Sequence, residues 1–136
     1  MKNRILSVIA LILFCIQSYA QTPVYLTKAY KPVESDRYTA YSSLEIQGGD
    51  TWNNCFTLGV INNYHGYATF RLGGKYEYIS FILGAEKSNG GNDPNIVQIH
   101  ADGKRIFDYV LRDGDLGQQF TLNISGVDKL EFSLVK

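Results

Sequence analysis

Hydrophobic residues in the later two thirds of this chain recur at every second position, in short runs broken by glycine, asparagine and aspartate. Phe70 and Leu72 form one set, Ile79, Phe81 and Leu83 a second, and Val97, Ile99 and Ala101 a third. Phe120, Leu122 and Ile124 follow, then Leu130, Phe132 and Leu134. Successive side chains of an extended strand point to opposite faces, so each set lies on one face. The pattern predicts strands over residues 68–72, 78–85, 96–101, 106–111, 118–124 and 130–135, with weaker alternation over 24–26, 38–41, 43–46 and 55–60. Strands with one apolar face each can bury it only against a second layer. The expected class is all-β, a sandwich of two facing sheets.

The interruptions agree. Asp102-Gly103 predicts a type I′ hairpin turn, because both central residues of that turn need positive φ. Gly73-Gly74, residues 113–115 and residues 125–128 mark further turns, and the polar stretch over residues 86–95 predicts an exposed loop. No internal repeat, linker or charge run divides the chain. Its 136 residues suit one domain.

The first 20 residues stand apart. Lys2 and Arg4 precede the apolar run ILSVIALILFCI, and Ser18-Tyr19-Ala20 closes it before Gln21. That order describes a secretory signal peptide cut after Ala20. The run is shorter than the roughly 20 residues a spanning helix needs. Residues 21–136 are then the single exported domain, secreted or periplasmic, with no membrane insertion after cleavage. Removing Lys2 and Arg4 leaves 11 basic against 13 acidic residues, a net charge of −2. Such a balance gives no footprint for nucleic acid. Only Cys55 is left beyond the cut, so no internal disulfide is expected.

Catalytic patterns are missing: the sequence holds no G-x-S-x-G elbow, no H-E-x-x-H and no phosphate loop. Cys55, before Phe56, reads as a small core residue, and alternation turns His100 away from the core. The expectation is a protein that is not an enzyme. Binding residues are easier to nominate, since a sugar needs an aromatic ring against its C–H face and amides or carboxylates for its hydroxyls. Trp52, the only tryptophan, stands in GGDTWNN beside Asp50, Asn53 and Asn54. It is expected in a turn, either as a stacking surface or folded over the end of the core. A second cluster, Asn62, Asn63, Tyr64, His65 and Tyr67, reads as ligand contact or as turn chemistry. The loop holding Asn92 and Asp93 could offer oxygens to a structural calcium, though with one carboxylate and without EF-hand spacing. A solvated loop is the competing reading there, and no other cofactor is expected.

The succession of segments over residues 44–135 resembles the NPCBM family of carbohydrate-binding modules. SLEIQGGDTWNN enters the fold, YATFRLGGKYEYISFILG occupies its middle, VQIHADGKRIFDYVL follows, and FTLNISGVDKLEFSLV ends it. The resemblance implies a jelly-roll-like sandwich of two antiparallel sheets that binds glycans, often as an appendage of bacterial glycoside hydrolases. Some relatives bind galactose-type sugars in loops at one end and hold a structural calcium. The run over residues 59–66 matches the family pattern only loosely. Two functions follow as expectations: a glycan-binding module, or a structural or protein-interaction sandwich of the cell envelope that binds another protein. The chain is expected to be a monomer.

Overall fold

The computed structural model describes residues 3–5, 23–46, 49–61, 64–85, 95–112 and 114–135. Its elements in chain order are β1 (Asn3–Ile5), α1 (Leu26–Ala29), β2 (Glu34–Asp36), β3 (Tyr38–Glu45), β4 (Thr51–Leu58) and β5 (Val60–Ile61). Then come β6 (Tyr64–His65), β7 (Tyr67–Arg71), β8 (Tyr78–Gly84), β9 (Asn95–Ala101), β10 (Lys104–Leu111), β11 (Leu116–Asn123) and β12 (Lys129–Val135). All six strongly alternating runs are strands. One layer is a five-stranded antiparallel sheet in the order β10-β9-β12-β7-β2. The antiparallel pair β8–β11 and the β3–β4 hairpin supply the apolar side chains that face it. The short β1 lies parallel to β8, within the stretch read as a signal peptide.

Two aromatic clusters join the layers. Phe56 of β4 packs against Phe70 of β7 and Phe132 of β12, with ring centroids 5.9 and 5.4 Å away, and Tyr38 closes the group at 5.1 Å from Phe56. Burial of Tyr38 pushes its phenol up to about 12. At the other flank Phe81 of β8 meets Phe107 of β10 at 5.5 Å and Phe120 of β11 at 5.6 Å. Edge-to-face and tilted contacts of this kind add roughly 0.5–1.5 kcal/mol per pair beyond burial. Alternation along β7, β9 and β12 places Ala68, Phe70, Val97, Ile99, Leu130 and Phe132 inward, each with no exposed surface.

Strand direction sorts the turns. Residues 72–77, 102–103 and 124–128 lie at one end of the five-stranded sheet, and Gly59, Gly66, Ala85, Arg112 and residues 114–115 at the other. Asp102 and Gly103 adopt φ of 50° and 85°, as the hairpin signal requires. At the opposite end Gly66 marks a backbone crossing. A Cβ there would lie 3.0 Å from Asp36 O, Gly59 N and Gly59 O, so any side chain would force the backbone to shift.

Four departures from the sequence reading have local causes. The strand expected at 24–26 is instead followed by one helical turn over Leu26–Ala29, which buries only Leu26 and so has no alternation to satisfy. The runs at 38–41 and 43–46 form one strand, β3. The run at 55–60 begins earlier, at Thr51, and breaks at Gly59, whose N–H bonds Arg37 O at 2.9 Å. Finally, β2 carries Glu34, Ser35 and Asp36, all exposed, so an edge strand with no apolar residue left no periodic trace.

Candidate functional site

Trp52 is not in a turn. It occupies the second position of β4, opposite Leu44 of β3, and is only 8% exposed. This corrects the sequence expectation, and a ring so covered offers no open face for a sugar. Its neighbours divide: Asn53 is exposed and Asn54 half-buried. Asn54 has φ of 54°, a left-handed conformation that asparagine tolerates better than most residues. That twist breaks the alternation of β4, and consecutive Cys55 and Phe56 are both fully buried. The Cys55 thiol donates to Trp52 O at 3.8 Å, and burial pushes it up to about 11. A thiol in that setting is a core residue rather than a nucleophile.

The second sequence cluster sits elsewhere. Tyr64 and His65 form β6, which pairs with β5, and Tyr67 opens β7. Gly59 and Gly66 hold the base of this ribbon together through a 2.8 Å backbone bond. From Trp52 the chain runs six residues along β4 to Leu58, about 20 Å at strand rise. The two nominated clusters therefore do not form one site. Asn62, Asn63, Asn92 and Asp93 lie outside the described residues. Among the described residues, no three histidine, cysteine, aspartate or glutamate side chains are grouped to hold a metal.

Tyr67 instead belongs to a constellation that only strand register reveals. On the outer face of the five-stranded sheet it stands opposite Asp36 on β2 and Ser133 on β12. Ser133 is opposite Gln98 on β9, and Gln98 opposite Asp108 on β10. One step along the strands is a second row, with one residue from each strand: Glu34, Thr69, Glu131, His100 and Arg105. Four inter-strand steps make each row about 19 Å long, and two residues of strand separate the rows by about 7 Å.

Three members of the second row are mutually oriented. Thr69 Oγ1 donates to Glu131 Oε2 at 3.4 Å, and Glu131 Oε1 lies 3.7 Å from His100 Nδ1. His100 Nδ1 is itself buried and has no hydrogen-bond partner. With Nδ1 turned inward toward a carboxylate, Nε2 is the nitrogen His100 presents outward. The next residue in the row is Arg105. The arrangement suits hydrogen bonding. Sequence reasoning named Tyr67 only as part of the 62–67 cluster, turned His100 away from the core, and missed Glu131, Thr69, Gln98 and Ser133. Their signal was the polar phase of each alternating run.

The turns beyond the second row are tied together. Asp102 accepts from Lys129 N at 2.8 Å and Asp128 N at 3.2 Å, and the first of these chiefly holds its carboxyl below the usual 3.8. Asp128 in turn accepts from Gly73 N at 3.1 Å. Two carboxylates thus join three turns and are occupied in doing so.

Comparison with known proteins supports this architecture. The NPCBM/NEW2 domain family matches residues 18–135. No curated protein matches the chain. Among solved structures, the CBM51 from Clostridium perfringens GH95, determined in complex with methyl-galactose, superposes with a TM-score of 0.56 at 15% identity. The alignment covers 82% of this chain and 86% of that one, and at such identity the likeness is one of fold: a β-sandwich. A family pattern that runs through every element from α1 to β12 settles the assignment: the chain belongs to the NPCBM/NEW2 domain family, carbohydrate-binding modules that are generally not catalysts.

Proposed function

We propose that this domain is a non-catalytic module that binds neutral, galactose-type glycans outside the cytoplasm. The family match over residues 18–135 carries the reading. The methyl-galactose in the CBM51 structure supports the sugar type, and the outer-face rows of amide, hydroxyl, imidazole and carboxylate supply the hydrogen-bonding groups a sugar needs. Glu34, Asp36, Asp108 and Glu131 share that face with Arg105, and Arg37 bonds Asp36 at 2.6 Å. Mixed signs favour an uncharged ligand over a polyanion.

The match begins at residue 18, just before the expected cut after Ala20, which supports residues 1–20 as a removable leader. No helix among the described residues is long and apolar enough to cross a membrane. Export is tested by the intact mass of the protein recovered outside the cytoplasm, expected to begin at Gln21. Glycan binding is tested on an array of neutral and charged glycans. Retention of galactose-terminated or galactan structures is expected, and retention of none would end the reading.

A further inference from the structure

We infer that the outer face of the five-stranded sheet is a trough for an extended neutral oligosaccharide, laid across the strands between the two side-chain rows. This rests on the glycan-binding reading and adds a location and a ligand length to it. Three observations support it.

The first is geometry. Register is unbroken from β7 through β12 to β9, so Tyr67, Ser133 and Gln98 face Thr69, Glu131 and His100 in two straight lines. The lines stand about 7 Å apart and extend farther than a single hexose can bridge. Ser133 in one row and Thr69 in the other are short beside Tyr67, Gln98, His100 and Glu131, so each row is low at one strand and tall at its neighbours. Thr69 is 8% exposed although it points away from the core.

The second is orientation. A solvated strand face needs no fixed side chains. Here Thr69 holds one oxygen of Glu131, and the other faces Nδ1 of His100. That leaves Nε2 as the His100 nitrogen turned outward, within reach of a sugar hydroxyl. Gln98, two residues away on the same strand face, offers both a donor and an acceptor, which is what a sugar hydroxyl needs from neighbouring groups. Tyr67, half-buried on the same face, adds an aromatic body with a polar tip.

The third is chemistry. The face is polar across both rows and mixed in sign, so a second sheet packing on it would desolvate charged groups without apolar gain. A chain of neutral hydroxyl-bearing rings meets no such penalty. The trough is also built without the loops at either end of the sandwich.

The test uses the purified protein with galactose and β-1,4-galactotetraose as probes, read by amide NMR shifts and by calorimetry. The expected shifts centre on Gln98, His100, Glu131 and Ser133, and the tetraose binds at least about tenfold more tightly than galactose. His100→Gln and Gln98→Ala each weaken the tetraose by about tenfold, the effect of losing one well-placed hydrogen bond. Both variants keep the melting temperature of the parent, which separates lost contacts from lost fold. Shifts confined to residues near 59–66 and 112–115, equal affinity for the two probes, or loss on Asn53→Ala instead would each overturn the trough. A dimer joined through this face would overturn it too. Binding of other glycans on the array with neither probe bound would defeat the trough while leaving the module reading standing. An array with no retained glycan would defeat the module reading itself.

Discussion

The two faces of the five-stranded sheet are made by the same strands, one residue out of phase, yet they behave as different materials. Phe70, Ile99, Leu130 and Phe132 point inward and have no exposed surface, and the rings of Phe70 and Phe132 pack against Phe56. Thr69, His100 and Glu131, each adjacent in sequence to one of those residues, point outward and form an ordered polar line. The inner face carries the stability and tolerates little. The outer face can change with little effect on folding, which is the condition for carrying a binding function on a rigid scaffold.

Substitutions on the two faces should therefore separate fold from binding. The largest effect is expected inside: Phe132→Ala removes a ring that touches both Phe56 and Phe70, at a cost of about 3–5 kcal/mol read from the urea midpoint. Gly66→Ala comes next. Its Cβ meets three backbone atoms at 3.0 Å, and the strain should cost about 1–3 kcal/mol, since backbone yields less readily than a side chain. On the outer face His100→Gln should change stability by less than about 0.5 kcal/mol, the usual range for a surface position. A loss comparable to Phe132→Ala would make His100 a structural residue and erase the contrast.

Smaller effects sharpen the picture at the ends. The Asp102 carboxyl is held below 3.8 by the N–H groups of Lys129 and Asp128. A lowered folded-state value means the charged form stabilises the fold at neutral pH, with that contribution fading as pH drops through the lowered value. Asp102→Asn should melt slightly below the parent at pH 7, and the gap should close in acid below 3.8. The smallest signal is chemical. Cys55, fully buried with its thiol pushed up to about 11, should resist a thiol reagent until the protein unfolds.

Much of this architecture was legible in the chain. Wherever apolar residues alternated, as in residues 78–85 and 130–135, the strand existed and the named residues are buried, except Phe120 and Leu122 of β11, which are half-buried against the core. The aspartate–glycine hairpin was equally readable, because its backbone angles exclude most other residues. Where burial did not alternate, the reading failed. β2 has three exposed polar residues and declares itself only through pairing with β7. Trp52 looked like a turn residue because glycines and asparagines surround it, but the left-handed Asn54 bends β4 so that Trp52 and Cys55 both face inward. The family resemblance supplied what periodicity could not, the identity of the sandwich, and the match over residues 18–135 bears it out. The outer-face rows were hidden for a different reason. Each strand shows its polar phase in sequence, but which threonine faces which glutamate depends on register between strands 62 residues apart.

A crystal structure of the protein grown with β-1,4-galactotetraose would decide most directly whether that outer face is where a glycan lies. Density for linked sugar rings crossing β7, β12 and β9, with a hydroxyl at His100 Nε2, is the expected result. Sugar density seated only among the end loops, with the sheet face bare, would contradict it.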